Sequence, residues 1–272
     1  MNIRQGEQKL SAPSGKTQPI PPVLRATLVT GASGALGGAL ARQSAASGVA
    51  LLLWGRDAHR LAAVADDCRA AGALVQVRQL DLADTDAMLA ALAADDAAWT
   101  IASALLVAGQ GDAVPPGQDL EPPEQVARLA NVNLGAPAAL ATALAGRMAA
   151  RGQGRILLVG SAAGFHALPH APAYAASKAG LARFAQALRL AVAPKGVQVT
   201  LVSPGFIDWA GGGRPIPRPL LIPLDVVARR ILAAFAGGAG HAIIPRRFAL
   251  LRLLDRLLPG PVRAAVLRRL KA

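Results

Sequence analysis

Three side chains in the second half of the chain have the chemistry and the spacing to move a proton. Tyr174 is the only tyrosine, and it stands four residues before Lys178 and thirteen after Ser161. Residues four apart are neighbours on a helix, so a helix would hold the phenol beside the ammonium. Because a nearby cation favours the phenolate, the pair could exchange a proton with a carbonyl or an alcohol. Taken alone, the pair is equally well interpreted as a buried tyrosine and a surface lysine.

A glycine-rich stretch near the start of the chain has the context of a dinucleotide-binding loop. It follows a predicted strand and opens an alanine-rich helix that we expect to reach Ser47. Glycines let the backbone approach a pyrophosphate, and a helix N-terminus supplies amide donors and the positive end of a dipole. The residues predicted to hold a cofactor here are Gly31, Ser33, Gly34, Ala35, Leu36 and Gly37.

Strands and helices alternate along the chain. Apolar runs predict strands at Ala26–Thr30, Val49–Trp54, Leu74–Leu80, Ile101–Val107, Arg155–Val159, Val197–Val202 and His241–Pro245. Helices are predicted at Arg60–Ala71, Thr85–Ala94, Pro123–Arg151 with an interruption at Asn131–Asn133, Pro172–Ala193 and Leu224–Ala236. This alternation predicts an α/β fold, a single doubly wound domain with a parallel sheet and helices on both faces. The strands are near-continuous apolar runs, as buried parallel strands are.

In their order along the chain, these motifs resemble those of the short-chain dehydrogenase/reductase family. The stretch Thr30–Gly37 resembles the family's T-G-x-x-x-[A/G]-x-G loop, and Tyr174 with Lys178 resembles its Y-x-x-x-K motif. The resemblance covers roughly residues 25–210. It implies a Rossmann fold and hydride transfer between a nicotinamide cofactor and a carbonyl or secondary alcohol.

The resemblance also implies a catalytic set of Asn133, Ser161, Tyr174 and Lys178. Tyr174 would be the acid in reduction and the base in oxidation. Lys178 would lower the pKa of Tyr174 and hold the nicotinamide ribose, and both residues would therefore contact the cofactor. Ser161 would hydrogen-bond the substrate oxygen, and Asn133 would kink its helix and hold a water between Lys178 and solvent.

Further cofactor contacts are implied by the family's motifs at the ends of strands. They are Asp81 and Leu82 at the adenine, Ala108 and Gly109 at the adenosine, and Pro204, Gly205 and Ile207 at the nicotinamide. The family's N-N-A-G is here Leu106-Val107-Ala108-Gly109. The asparagine hydrogen bonds that brace the sheet are therefore lost, and we expect a cost in stability.

The substrate side is predicted to be apolar. Trp209 replaces a threonine that often follows the family's P-G turn, so it could wall the pocket. The residues predicted to line the pocket are Ser161, Phe165, Phe206 and Trp209. A small-molecule carbonyl or alcohol is the expected substrate.

The end of the second strand indicates which nicotinamide cofactor is used. The chain reads Leu53-Trp54-Gly55-Arg56-Asp57, so no acid ends the strand and Arg56 follows it directly. A guanidinium matches a ribose 2′-phosphate in charge and in fork geometry. The sequence therefore favours NADP(H). NAD(H) is the alternative, since Asp57 could pair with Arg56 and repel a phosphate.

Charge and composition limit the remaining possibilities. The net charge of +13 belongs to the ends, since residues 214–272 hold twelve basic and two acidic residues. Cys68 is the only cysteine, which excludes an intrachain disulfide and favours a reducing, cytoplasmic compartment. We expect no secretory signal and no spanning helix. The histidines His166, His170 and His241 are scattered, and no metal site is predicted.

The predicted organisation is a disordered leader over 1–24, a Rossmann domain over 25–247 and a basic helical tail over 248–272. In the tail, Phe248–Leu258 and Val262–Leu270 combine leucines with arginines, as interfacial membrane helices do. A terminal helix packed on the body or on a partner subunit is the alternative. Nucleic-acid binding is not expected, because the tail lacks interleaved aromatic residues. The resemblance implies a homo-oligomer, a dimer or tetramer.

A second class of function is a non-catalytic dinucleotide-binding sensor or scaffold. Such a protein would not need the four residues of the catalytic set, so their intact spacing argues against it.

Overall fold

The structure is a computed structural model that describes residues 25–111, 113–208 and 218–269. The strands are β1 Ala26–Thr30, β2 Ala50–Gly55, β3 Leu74–Gln79, β4 Ile101–Leu106, β5 Gly154–Val159, β6 Val197–Pro204, β7 Ile207–Asp208, β8 Ile222–Pro223 and β9 His241–Ile244. The α-helices are α1 Ala35–Ser44, α2 Ala58–Ala70, α3 Thr85–Trp99, α4 Pro123–Ala130, α5 Ala136–Ala150, α6 Pro172–Val192, α7 Leu224–Ala236, α8 Arg247–Leu257 and α9 Gly260–Arg269.

Seven strands form one parallel sheet in the order β3-β2-β1-β4-β5-β6-β9. The predicted α/β class and doubly wound sheet are confirmed. The chain leaves β3 at one edge and returns to the middle at β4, so the strand order reverses between β1 and β4. Ligands of open α/β sheets bind at such a reversal, outside the carboxyl ends of the strands.

Each face of the sheet is covered by three helices. One core joins the sheet to α3, α5 and α6 through side chains such as Leu92, Leu140 and Leu181. The other joins it to α1, α2 and α7 through side chains such as Leu40 and Ile231. In the central strands β2, β4 and β5, successive buried residues alternate between the two cores, and this explains why these runs are apolar on both faces. The edge strand β3 is half-exposed and also carries polar residues.

Two helices end at places that the sequence pattern did not predict. Helix α1 ends at Ser44, three residues before the predicted end. Helix α3 continues to Trp99, five residues beyond the predicted end, and stops where Thr100 adopts a left-handed φ of 47°. The extension is stabilised by the Asp96 side chain, which accepts a hydrogen bond from the Ile101 N–H at 2.8 Å.

Helices α4 and α5 are joined by a π-helical turn at Asn131–Gly135, where an interruption is predicted. The combined helix Pro123–Ala150 is long and apolar enough to cross a membrane by length and composition. However, Leu140, Leu144 and Met148 are completely buried in the core. Packing on the sheet therefore accounts for its apolar content.

The C-terminal region contains α8 and α9, separated near Pro259 as predicted. Phe248, at the start of α8, is buried, and a Cβ atom added to Gly205 would collide with its ring. The predicted leader 1–24, and the stretch 209–217 with Trp209, lie outside the described residues. The division of the chain into three segments, with boundaries at 24/25 and 247/248, stays a prediction.

Candidate active site

The predicted site residues lie at the carboxyl edge of the sheet. Gly31 follows β1, Ala108 and Gly109 follow β4, and Ser161 follows β5. Pro204 is the last residue of β6, so the P-G turn leaves the sheet at the same edge. Residues that are far apart in sequence are thus brought to one crevice because parallel strands end together.

Helix α6 holds the Tyr174 phenol and the Lys178 ammonium one turn apart. The Lys178 Nζ atom lies 6.0 Å from the centroid of the Tyr174 ring. Lys178 is 5% exposed, whereas Tyr174 is only partly buried. The structure thus contradicts the surface-lysine interpretation of this pair.

Lys178 is held by the end of the neighbouring strand. Its Nζ donates a hydrogen bond to the carbonyl oxygen of Val159, at the end of β5, over 3.1 Å. A Cβ atom added to Gly109 would come within 3.1 Å of the same nitrogen. Burial lowers the pKa of Lys178 from 10.5 to about 8. The side chain can therefore change its charge close to neutral pH.

Asn133 lies in the π-helical turn and is completely buried. Its Oδ1 accepts from the Gln110 N–H at 2.8 Å, and its Nδ2 donates to the Gln110 carbonyl at 2.9 Å. The Nδ2 atom also lies 3.3 Å from the Ser177 hydroxyl on α6. The amide therefore connects the segment after β4 to the helix that carries Lys178.

Ser161 begins a 3₁₀ turn, Ala162–Phe165, and its Oγ accepts from the Ala163 N–H at 3.1 Å. A hydroxyl that accepts one hydrogen bond still has a hydrogen to donate. The turn packs closely on α6, since a Cβ atom added to Gly164 would come within 2.8 Å of the Ala179 nitrogen.

The glycine loop has the geometry that a pyrophosphate needs. Gly31 has a φ of 68°, and a Cβ atom there would lie 2.8 Å from the Cα of Ala108. A Cβ atom at Gly37 would collide with the Gly31 carbonyl group. Gly34 is the N-cap of α1, and no side chain caps the helix. The first N–H groups of α1 are thus open to an anion, and the residues present fit a dinucleotide.

The remaining residues of the predicted loop lie around the same turn. Ser33 contacts the end of β2, since a Cβ atom at Gly55 would approach its Oγ to 2.6 Å. Ala35 is exposed in the first turn of α1, and Leu36 is partly buried against the core.

Arg56 and Asp57 are engaged separately. With the Gln110 amide oxygen turned toward it, the Arg56 guanidinium donates to that oxygen over 2.8 and 3.1 Å. The Asp57 carboxylate instead caps α2 by accepting from the Arg60 N–H, and it forms an ion pair with Arg60 at 3.2 Å. The alternative pairing of Asp57 with Arg56 is therefore not the one observed.

Asp81, Leu82 and Ile207 are further residues predicted to contact the adenine or the nicotinamide of the cofactor. Asp81 is exposed and accepts from the Ala83 N–H at 3.0 Å, while Leu82 is buried. Ile207 pairs with Ile222 in the small β7–β8 sheet. All three residues follow the carboxyl ends of sheet strands.

Thr30 provides a brace that the sequence pattern did not predict. Its hydroxyl accepts from the N–H groups of Val107 and Ala108 at 3.1 and 3.3 Å. It connects β1 to the end of β4 where the family's asparagines are missing. Gln110 was missed too, since no sequence signal marks a glutamine whose partners, Asn133 and Arg56, are distant in the chain.

Aromatic side chains lie where the sequence predicts the substrate pocket. Phe206 is 43% exposed and packs edge-to-face on Phe248, with ring centroids 6.0 Å apart. The Phe165 ring lies 6.1 Å from that of His241. Phe248 belongs to the predicted tail by its place in the sequence, but the structure places its ring against Phe206 and Gly205.

Other potential sites are separate from this crevice. A cleft of about 490 Å³ with Arg25, Arg151 and Arg155 in its lining lies at the opposite edge of the sheet. No group of three or more metal-ligating side chains occurs within residues 25–111, 113–208 and 218–269.

Comparison with known proteins agrees with this geometry. The sequence model of the family described as short chain dehydrogenase matches residues 25–214. An uncharacterized oxidoreductase of Myxococcus xanthus is 33% identical over 248 residues, 91% of this chain and 98% of that protein. The similarity to this relative therefore extends over nearly the whole length of both proteins.

Solved structures of similar proteins extend the comparison. A short-chain dehydrogenase from Sphingobium yanoikuyae in complex with NADPH has a TM-score of 0.75 at 27% identity, covering 91% of this chain and 97% of that one. The bulky-bulky ketone specific alcohol dehydrogenase from Comamonas testosteroni has a TM-score of 0.73 at 26% identity, covering 92% and 96%. This chain belongs to the short-chain dehydrogenase family, and it is an oxidoreductase that acts on CH–OH and C=O groups.

Proposed function

We propose that this protein is an NADP(H)-dependent carbonyl reductase or alcohol dehydrogenase for a hydrophobic small molecule. The observation that carries the proposal is the buried Lys178 ammonium, one helical turn from the Tyr174 phenol, beside Gly109 at the crevice. Burying a lysine charge costs free energy, and titratable groups in such costly environments are concentrated at functional sites. A buried ammonium beside a phenol is therefore consistent with proton transfer.

In the proposed mechanism, Tyr174 gives its phenolic proton to the carbonyl oxygen during reduction and takes it from the alcohol during oxidation. The nicotinamide, when bound, supplies or accepts the hydride. The Ser161 O–H donates to the same substrate oxygen and stabilises its developing negative charge. The Lys178 cation favours the phenolate that remains after Tyr174 has given up its proton.

Asn133 acts on the position of the other groups. Both ends of its side-chain amide are hydrogen-bonded, the oxygen to Gln110 and the nitrogen to Gln110 and Ser177, so it fixes the segment after β4 against α6. Gly109 lies in that segment and leaves room for the Lys178 ammonium. The proposed role of Asn133 is therefore to hold the crevice open around Lys178.

The preference for NADP(H) is supported by Arg56. Its guanidinium is exposed at the end of β2, and its partner Gln110 is neutral, so its charge is not compensated by that contact. Asp57 is occupied by Arg60, which reduces its repulsion of a phosphate. The similar Sphingobium yanoikuyae structure is a complex with NADPH.

A hydrophobic substrate is supported by the aromatic side chains Phe165, Phe206 and Phe248 beside Ser161 and the P-G turn. The Phe206 ring is 43% exposed, and covering it with an apolar ligand would lower the free energy of the complex. The name of the Comamonas testosteroni relative specifies bulky ketones. Ketones with two apolar substituents are therefore the substrates to test first.

The cofactor proposal is tested by titrating the purified protein with NADPH and with NADH. We expect NADPH to bind about tenfold or more tightly, and Arg56→Leu to remove most of that difference without weakening NADH. Arg69→Leu is the matched control, because Arg69 is an exposed arginine paired with Asp66 at the far end of α2, the helix that follows Arg56. Equal affinities for the two cofactors in the wild type would contradict the assignment.

The predicted homo-oligomer is part of the proposal. The resemblance to the family implies that subunits pair through the two long helical segments, Pro123–Ala150 and Pro172–Val192. Val126 and Leu190 are exposed apolar side chains on these segments. Analytical ultracentrifugation checks it, and a monomer at micromolar concentration would contradict it. The cytoplasmic location stays a prediction.

A further inference from the structure

The two C-terminal helices hold a concentration of exposed apolar side chains. Of the fourteen large apolar side chains exposed among the described residues, six lie between residues 250 and 266. They are Leu250, Leu253, Leu257, Leu258, Val262 and Val266. On α8 the first three follow at spacings of three and four, so they form one stripe that faces outward. We call Leu250, Leu253 and Leu257 the apolar stripe.

The same segment has an excess of positive charge in its sequence. Residues 246–269 contain seven arginines and a single acid, Asp255. Arg246, Arg247 and Arg263 are exposed. Leucines beside exposed arginines suit the boundary where acyl chains meet acidic headgroups.

Charge also argues against a second copy of this chain as the occupant. In a two-fold symmetric contact, each copy presents the same surface to the other. The exposed Arg246, Arg247 and Arg263 would then add like charge to both sides of the contact. An anionic surface has the complementary charge, and a fluid bilayer has no fixed shape that the stripe must match.

The apolar stripe begins at the rim of the candidate active site. Phe248 contacts the Gly205 backbone and packs on Phe206, so the start of α8 packs against the P-G turn. Helix α8 also packs against the turn Ala162–Phe165 that follows Ser161. A surface that covered the stripe would therefore adjoin the substrate side of the crevice.

We propose that α8 and α9 dock on an anionic lipid bilayer and bring the substrate side of the crevice to the membrane surface. The apolar stripe enters the boundary of the acyl chains, and the arginines contact acidic headgroups. The carbonyl or alcohol substrate is then a lipid-soluble molecule that reaches the crevice from the bilayer. This last step rests on the proposed function, whereas the docking itself does not.

The test is co-sedimentation of the full chain with vesicles of phosphatidylcholine alone and with vesicles of phosphatidylcholine and phosphatidylglycerol in equal parts. We expect affinity for the anionic vesicles to be at least about tenfold higher, and to fall as salt is raised. Equal affinity for both compositions, or binding to neither, would overturn the proposal.

A pair of double variants locates the contact. Leu253→Glu with Leu257→Glu places two acids in the apolar stripe, and we expect it to lose about tenfold or more in vesicle affinity. Leu74→Glu with Val77→Glu is the control, since it replaces two exposed apolar residues on the edge strand β3 and changes the net charge equally. Thermal unfolding verifies that both variants fold. The same loss in both would show that only net charge matters and would overturn the proposal.

Two further measurements distinguish membrane docking from a subunit contact and from catalysis. If the α8 variant changes the oligomeric state in sedimentation velocity and leaves vesicle binding intact, the stripe is a subunit contact and the proposal is wrong. Tyr174→Phe should bind vesicles as the wild type does, because docking does not use the phenol. Failure of the proposed enzyme activity would therefore leave the vesicle result unchanged.

Discussion

In the proposed mechanism, Tyr174 and Lys178 divide one task between two side chains. The Tyr174 phenol would carry the proton, and the buried Lys178 ammonium would set how readily the phenol releases it. Their separation by four residues is a property of the sequence, whereas the burial of Lys178 arises from β5 and Gly109. The two roles can be tested separately.

Tyr174→Phe retains the ring and removes the proton. We expect kcat to fall by about two to four orders of magnitude, because the loss of a general acid is of that size. The affinity for NADPH should stay within about twofold. Oxidation of NADPH with a bulky ketone measures the first quantity, and a fluorescence titration measures the second. A variant that retained most of its turnover would exclude Tyr174 as the proton donor.

Lys178→Met replaces a buried cation with an apolar side chain of similar length, and it should abolish turnover. Because the folded pKa of about 8 is below 10.5, the unfolded wild type binds more protons between these pH values. The penalty for burying the charge is therefore complete below pH 8 and is relieved as pH rises through this window. The wild type should thus gain roughly 2 to 3 kcal/mol of unfolding free energy relative to Lys178→Met between pH 7 and pH 10.

Denaturant unfolding of the apoprotein at a series of pH values measures this difference. Comparing the two proteins at each pH cancels the other titrating groups, such as Cys68, whose pKa is raised by burial. The lost hydrogen bond to Val159 lowers the stability of the variant by a constant amount. A difference that did not change with pH would mean that Lys178 remains charged throughout the window.

At the scale of elements, the glycine loop joins β1 to α1 by a route that only glycine permits. Gly31→Ala meets both a φ of 68° and a contact of 2.8 Å with Ala108. We expect it to lose about 2 kcal/mol or more of unfolding free energy and most of its cofactor affinity. Gly48→Ala is the control, since its φ is 79° but no atom lies within 4 Å of the added Cβ.

The control should cost only about 1 kcal/mol and should bind NADPH normally. Thermal unfolding and NADPH titration of the two variants separate backbone strain from steric collision. If both variants lost cofactor affinity alike, the close approach of Gly31 to Ala108 would not be what shapes the loop.

The elements were largely predictable because their signals are local. Hydrophobic runs and the spacing from Ser161 to Lys178 identified the strands, α6 and the crevice. The contacts of Gln110 with Arg56 and Asn133, and of Phe248 with Gly205, join residues distant in sequence. No local pattern marks such pairs, so they appear only once the sheet brings them together.

On the scale of the whole molecule, the two edges of the sheet differ in what they contribute. The catalytic candidates lie at the carboxyl edge. Near the opposite edge, Asp96 is buried at the end of α3 and accepts from Arg151 at 2.8 and 3.0 Å and from Arg147 at 3.4 Å. The sequence pattern did not indicate Asp96, because the predicted helix ended at Ala94. This arrangement predicts that stability and catalysis can be changed independently.

Asp96→Asn keeps the size of the side chain and removes the charge that Arg151 requires. The Asp96 side chain is 5% exposed and that of Arg151 is 29% exposed, so water replaces the lost partner poorly. We expect a loss of about 2 kcal/mol or more in unfolding free energy, with kcat/KM unchanged within about twofold. Asp67→Asn, which breaks the exposed pair with Arg42, should cost less than about 1 kcal/mol. A variant at Asp96 with intact stability and impaired catalysis would show that the two edges are coupled.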